Sequence, residues 1–566
     1  MNQAYLLNSL WMWQCRRETR ALWRSTRKVE DAQLRVLRKI VSANHDTDFG
    51  RAHQFQRIDD EHSFQRHVPP SDYDDYDTYV ERIAAGEKKV LTAEPVRLLE
   101  PTSGTTRAEK LIPYTDGLRR QFQRGVAAWI GDLLYQRPGI RRGRAYWSIS
   151  PAMDRERSTP GGVPVGFDDD TAYLSGLQRR LVKRLLAVPP EVARQTNLDN
   201  FRYQTLLHLL SAPDLALISI WSPTFLSALF SDISCWSERL THDVRHGRSG
   251  LLPAAARADE LERVFATDQT LGEKLRQIWP RLDTVSCWAD AVAGAALPQA
   301  KRLLPQAEFQ AKGLIATEAF VTLPLVGLAG GALAVRSHFF EFEQVDVMTG
   351  AESLQTVSDS NSNAMLLAHQ LQPGRFYRVL VTTAGGLYRY HLHDIVEVVG
   401  FLNQCPRLRL LGKSNLYSDL VGEKLNEGHV RQAVDRALQA AGASADFSIL
   451  VPRGDSQPGY CLYLQGLNSC LPDRSRHKIS LPEIALRLDG GLSENPYYRQ
   501  ALDLGQLAPV QIFLLHDGES AASIYLREMA QRGFRLGDVK PVALDAWSGW
   551  SNIFDAYIER EAIEFS

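Results

Sequence analysis

The stretch Pro101-Thr-Ser-Gly-Thr-Thr-Arg-Ala-Glu-Lys110 gathers hydroxyls, a glycine and a lysine into one short polar loop. Such a loop offers backbone N–H groups and side-chain hydroxyls to a single point, with a cation close by. A polyphosphate needs that combination of many donors and little bulk. The same residue types also build an ordinary solvated hairpin turn. The spacing is not that of the nucleotide-hydrolase phosphate loop, because no Gly-Lys-[Ser/Thr] follows. Further on, Glu318 stands between two apolar, strand-like runs. It reads as a rim carboxylate at a strand end or as a Mg²⁺ ligand beside phosphates. Asp394 closes Gly386-Leu-Tyr-Arg-Tyr-His-Leu-His-Asp394. His391 and His393, two apart on a strand, share a face, but no third ligand stands near enough to complete a zinc site. Lys540, in Gly537-Asp-Val-Lys-Pro-Val-Ala543, reads by itself as a surface lysine. Trp147, Trp221, Trp236 and Trp288 lie among short apolar runs between the polar loop and Glu318. An acid with an apolar body needs such a lining, although any one of these tryptophans serves equally well in a core.

The pattern around these residues predicts the elements that hold them. Val96–Glu100 and Leu111–Tyr114 read as strands flanking the polar loop, and Phe122, Val126 and Trp129 mark a helix from Thr115 to about Leu134. Strands and helices are expected to alternate to about residue 400, an α/β arrangement. Arg375–Thr383 and Asp394–Gly400 are the clearest strands, rich in β-branched residues and bounded by glycine. Gly161–Gly166 reads as a flexible loop near the tryptophans. Past Leu411-Gly-Lys413 a new unit begins, with helices near 427–441 and 481–489 and strands near 447–451 and 460–465. The division expected is 1–410, a large domain holding the substrate sites, and 411–566, a smaller α+β domain carrying Lys540, joined at a hinge.

Composition sets the class. Of 566 residues, 44% are hydrophobic and 23% charged, as in soluble globular enzymes. Lys plus Arg (65) nearly cancels Asp plus Glu (66), without the basic excess of a nucleic-acid binder. The cysteines are scattered and form no Cys-x-x-Cys pair, which fits a reducing, cytoplasmic setting. The most apolar run, 320–335, is short and broken by a proline and glycines, so no membrane span is expected. The basic, helical first forty residues suit packing on their own domain with a solvated face, or an anionic membrane surface.

Taken together, these stretches resemble a known family. Thr102-Ser-Gly-Thr-Thr106 followed by Lys110 looks like the phosphate loop of the adenylate-forming superfamily. Gly313-Leu-Ile-Ala-Thr-Glu318 resembles that superfamily's aromatic-Gly-x-Thr-Glu motif. Gly386–Asp394, Asn44–Gly50 and Val80–Glu87 resemble the Gretchen Hagen 3 family of acyl-acid amido synthetases, in the family's order and closer to its bacterial members. The resemblance implies an adenylate-forming fold and a ligase that uses ATP and Mg²⁺. It would join a small carboxylic acid to an amine, an amino acid above all, through an acyl-adenylate. It implies nucleotide contacts from Thr102, Ser103, Gly104, Thr105, Thr106, Lys110, Thr317, Asp394 and Lys413, with Asp394 on the ribose. Glu318 would hold Mg²⁺, Lys540 would be a mobile catalytic lysine, and Trp147, Trp221 and Trp288 would line the acyl pocket. Arg107, Leu314, His391, His393 and Lys413 depart from the family pattern. Two alternatives share the nucleotide motifs: a ligase that makes thioesters with CoA or a carrier protein, and a nucleotide-binding protein with a decayed site.

Overall fold

The structure, a computed structural model, describes residues 3–101, 110–147, 157–166, 182–195, 197–290, 297–345, 365–413, 417–418, 420–421, 423, 425–454, 458–469, 480–503, 506–532, 539, 541–547 and 549–559. Two long helices open the chain, α1 (Gln3–Ser25) and α2 (Val29–Asn44). The hairpin strands β1 (Val96–Pro101) and β2 (Leu111–Thr115) lead into α3 (Asp116–Gln136). Strands β3 (Arg144–Trp147), β4 (Arg157–Ser158), β5 (Pro164–Val165), β6 (Leu215–Ser219), β7 (Thr284–Cys287) and β8 (Glu308–Ala311) follow. Then come β9 (Thr322–Pro324), β10 (Gly331–Leu333), β11 (Phe339–Val345), β12 (Leu366–Leu367), β13 (Phe376–Thr382), β14 (Tyr390–Leu402) and β15 (Cys405–Lys413).

The hairpin forms as its pattern dictates. Leu99 pairs with Pro113 and Pro101 with Leu111, so the polar loop springs from a closed base. Thr115 then caps α3, its hydroxyl accepting from Leu118 N–H at 3.1 Å. Helix α3 buries Leu118, Phe122, Trp129, Ile130 and Leu133. Helix α1 packs against it through Ala4, Asn8, Trp11, Cys15 and Leu22, the apolar face of the basic segment.

Gly161–Gly166 is a strap rather than a loose loop. Gly161 N–H donates to Ala84 O at 2.9 Å, and Gly166 N–H to Leu99 O at 2.8 Å. A Cβ on Gly161 would meet Ala85 C at 2.2 Å, so only glycine allows this approach. The result is a four-stranded sheet in the order β2-β1-β5-β4.

A second sheet, β3-β6-β7-β8, is parallel throughout. Its helices bury their apolar faces on it around Leu206, Leu226, Leu261 and Trp279. From β9 onward the alternation of strand and helix expected to about residue 400 gives way to an antiparallel seven-stranded sheet, β12-β11-β13-β14-β15-β10-β9. The reason is turn chemistry. The β9–β10 and β14–β15 links are short turns with no room for a crossover helix. Asn403 (φ 54°) turns β14 directly back into β15, and Gly327 and Gly330 also take positive φ.

Beyond β15, helix α4 (Glu427–Ala440), strands β16 (Phe447–Gly454) and β17 (Pro458–Gln465), helix α5 (Leu481–Leu492), strand β18 (Gln511–Leu514) and helix α6 (Ala521–Gln531) follow. The sheet order is β16-β17-β18, with one core cluster on each face. No helix among the described residues is long and apolar enough to cross a membrane.

Candidate active site

The segment from Ser71 to Tyr76 joins the β1–β2 hairpin to the Tyr-Arg-Tyr stretch. Ser71 N–H donates to Arg389 O at 3.0 Å, and His391 N–H to Ser71 O at 2.9 Å. Tyr76 Oη donates to Tyr388 O at 3.0 Å and accepts from Tyr388 N–H at 2.8 Å. Tyr73 Oη accepts from Leu111 N–H at 2.7 Å, at the base of the hairpin. Lys110 lies with Nζ 5.3 Å from the centre of the Tyr73 ring. Thr102, Ser103, Gly104, Thr105, Thr106 and the departing Arg107 fall outside the described residues.

Glu318 occupies a bend with Thr317, closed by a bridge between Ile315 and Phe320, and both residues are half-buried. Its carboxylate acts on both phenols of the junction. Burial, and then Glu318, push Tyr390 up, and burial with Asp77 and Glu318 pushes Tyr73 up. Both therefore stay protonated and can donate hydrogen bonds at neutral pH. Tyr73 thus neighbours Lys110 on one side and feels Glu318 on the other, as Tyr390 does.

Asp394 is buried on β14, with its backbone opposite Lys413 on β15; of Lys413 only the backbone is described. On either side of this stretch Arg389 (φ 51°) and His393 (φ 60°) adopt left-handed backbone. Such non-glycine residues cost energy and cluster where function constrains the chain. His393 is engaged by Asp72, Nε2 to Oδ1 2.9 Å, and stacks on His391 with ring centroids 5.9 Å apart. No group of three or more metal-ligating side chains is found among the described residues. Lys540 falls outside them, while its neighbour Val539 is buried.

The tryptophans divide. Trp221 and Trp288 meet with centroids 5.4 Å apart, and Trp288 N–H donates to Trp221 O at 2.8 Å. Trp147 joins them at the carboxyl edge of the parallel sheet, its Nε1 donating to Ser219 Oγ. Trp236 stands elsewhere, against Tyr203.

Sequence reasoning gave no role to two residues that hold the site. Arg389 is 4% exposed and donates Nε to both oxygens of Glu341 (3.1 and 3.0 Å) and Nη1 to Val68 O (2.7 Å) and Gln65 O (3.2 Å). His338 is fully buried and accepts from Phe320 N–H at Nε2 (3.0 Å). Its other nitrogen therefore carries the proton, facing Gln121 Oε1 at 3.1 Å, which also accepts from Ala384 N–H at 2.9 Å. This relay ties the Glu318 bend to α3 and to the turn after β13. For His338 the available signal was a polar residue in apolar surroundings; Arg389 stood inside the quoted Gly386–Asp394 stretch, which marked the segment but not its partner.

Burial pushes His338 down to about 3 from an ordinary value of 6.5. The unfolded chain takes up this proton below pH 6.5 while the folded protein does not, so stability falls as the pH drops. The loss from this group reaches about 1.4 kcal/mol by pH 5.5. Comparing urea unfolding of the wild type with that of His338→Gln at pH 7.5 and 5.5 measures it. The wild type should lose that much more than the variant between the two pH values. An unchanged difference would mean that His338 is not held neutral.

The family model for the GH3 family N-terminal domain matches residues 19–308, and that for the GH3 family central domain matches 331–413. The indole-3-acetic acid-amido synthetase GH3.8 of Oryza sativa subsp. indica is 26% identical over 536 residues, covering 87% of this chain and 85% of that one. GH3.3 of Arabidopsis thaliana, also an indole-3-acetic acid-amido synthetase, is 25% identical over 450 residues, covering 73% and 72%. Among solved structures, the AtGH3.15 acyl acid amido synthetase in complex with 2,4-DB superposes with a TM-score of 0.80 at 19% identity, covering 96% of each chain.

Proposed function

The chain belongs to the GH3 family, and from that premise we propose that it is an ATP-dependent, AMP-forming acyl-acid amido synthetase. It adenylates a small carboxylic acid and transfers the acyl group to an amine, above all an amino acid. The observation that carries this reading is the likeness to the rice amido synthetase over 87% of the chain, together with the GH3 family models that match residues 19–308 and 331–413, the stretches holding the β1–β2 hairpin and the Tyr-Arg-Tyr segment.

The chemistry follows from the charges involved. A carboxylate is a poor electrophile; its attack on the α-phosphorus of ATP expels pyrophosphate and makes a mixed anhydride, from which the attacking amine then displaces AMP. Two anions must first be brought together, which requires positioning and charge neutralisation. Thr102–Thr106 and Lys110 cradle the phosphates, Thr317 and Lys413 line the nucleotide, and Asp394 accepts from the ribose hydroxyls. Glu318 is a hard oxygen donor that acts on Tyr73, the neighbour of Lys110, and it fits Mg²⁺, which takes one or two carboxylates plus phosphate oxygens. Bound there, the ion would neutralise phosphate charge. Lys540 belongs to a C-terminal unit, 411–566, that swings about a hinge near Lys413 on the 1–410 unit, bringing its cation to the reacting phosphate. The setting is cytoplasmic.

Acid-dependent exchange of labelled pyrophosphate into ATP tests the first half-reaction. Glu318→Gln keeps the shape and loses the charge, so it should raise the Mg²⁺ concentration needed for half-maximal exchange by about tenfold, as expected for about 1.4 kcal/mol of lost ion binding. Equal loss of rate at limiting and saturating Mg²⁺ would remove Glu318 from the metal site.

A further inference from the structure

The carboxyl edge of the parallel sheet carries a buried cation that the nucleotide chemistry leaves unused. Lys312 directly follows β8, and its N–H extends the ladder by donating to Cys287 O at 2.7 Å. The side chain is buried, at 6% exposure. Its Nζ donates to Ser219 Oγ at 2.7 Å and lies 5.0 Å from the Trp129 ring centroid and 4.8 Å from that of Trp221. Such an ammonium is held by ring faces and a hydroxyl in a region of low dielectric, where its pull on an anion exceeds that of a surface lysine.

The register builds a polar row around it. Trp147 pairs with Ser219, Ser219 with Ser286, and Ser286 with Gln310, so these side chains share one face of the sheet. Lys312, two residues past Gln310, keeps that parity. Trp129 on α3 covers this face, donating Nε1 to Gln310 Oε1 at 3.0 Å. Buried polar groups are ordinarily hydrogen-bonded. Yet Ser286 Oγ, on a fully buried residue, and Gln310 Nε2 find no partner among the described residues. Two orphaned buried polar groups and one buried cation in a single row, beside tryptophan rings, form a set of donors suited to a small anion with a flat apolar body. A phosphate chain would need more cations and the dense backbone donors of the hairpin loop. One ammonium with two neutral donors matches the single charge of a carboxylate.

We propose that Lys312 receives the carboxylate of the acid, with Ser286 and Gln310 donating beside it, and so selects anionic acids for adenylation. This rests on the amido-synthetase reading for its substrate class but on the row itself for its residues.

The test compares each acid with its own primary amide, which has nearly the same shape and no charge. Arylacetates, benzoates and medium-chain alkanoates, each paired with its amide, are titrated without ATP into wild type, Lys312→Met, Lys312→Gln and Lys312→Arg by calorimetry. The wild type should prefer its best acid over the matching amide by about 30-fold, within the range of a charge-assisted hydrogen bond. Lys312→Arg should retain most of that preference. Lys312→Met and Lys312→Gln should reduce it below about threefold with ATP affinity unchanged, a pattern that loss of fold does not produce. If Lys312→Met fails to fold, Lys312→Gln, which can still donate to Ser219, carries the comparison. The proposal is overturned if the neutral variants keep the preference, if the wild type binds amides as well as acids, or if it binds no acid of the panel. A retained preference with no amide formed from any amino acid would instead overturn the amido-synthetase reading and leave this one standing.

Discussion

Asp394→Ala is expected to weaken ATP binding by at least about 150-fold. Two charge-assisted hydrogen bonds to a ribose, at about 1.5–3 kcal/mol each, give about 3–6 kcal/mol, and each 1.4 kcal/mol is tenfold. The position supports so large an effect. The carboxylate is buried on β14 beside the left-handed His393, so it is pre-aimed and loses little freedom when the nucleotide arrives. Asp394→Asn keeps an acceptor without the charge and should lose less. Calorimetric titration with ATP, on protein whose circular dichroism matches wild type, measures both variants. Unchanged affinity in the alanine variant would remove Asp394 from the ribose.

Arg389→Met is expected to cost about 3–5 kcal/mol of stability, because it strands the buried Glu341 carboxylate without its cation. The guanidinium also serves the carbonyls of Gln65 and Val68, tying the end of the short helix Glu61–His67 to the stretch that leads to Asp394. Adding Glu341→Leu should recover part of the loss, since it removes the stranded charge. It should not recover all of it, because the two carbonyls keep no partner from that side chain. Urea unfolding of the two variants reads this directly. A single variant within about 1 kcal/mol of wild type would show that solvent reaches Glu341 and that the pair is not a strut.

The local pattern carried much of the fold. Strands β1, β2 and β13 and helix α3 lie within a residue or two of where their periodicity puts them, because each buries one face and is stopped by a threonine cap, a glycine or a proline. Strand β14 begins earlier than its β-branched run suggests. Tyr390 pairs with Val381, and His391 with Leu380, before the left-handed His393 interrupts the regular pattern. The antiparallel sheet was not legible, since short apolar runs do not say whether the chain returns by a turn or a helix. For the candidate site, order along the chain pointed to Glu318 and Asp394 as proposals. It could not mark Lys312, Ser286 or Gln310, which acquire meaning only when four parallel strands bring them into one row. Arg389 and His338 were hidden for the same reason: their partners lie far away in sequence.

The central claim is the identity of the second half-reaction, and product analysis tests it most directly. The enzyme is incubated with ATP, Mg²⁺, the acid panel, the proteinogenic amino acids and CoA together, and products are resolved by mass spectrometry. The account predicts an N-acyl amino acid, with AMP and pyrophosphate released in equal amount to it, and no acyl-CoA. Acyl-CoA as the product, or AMP released without any amide, would contradict it.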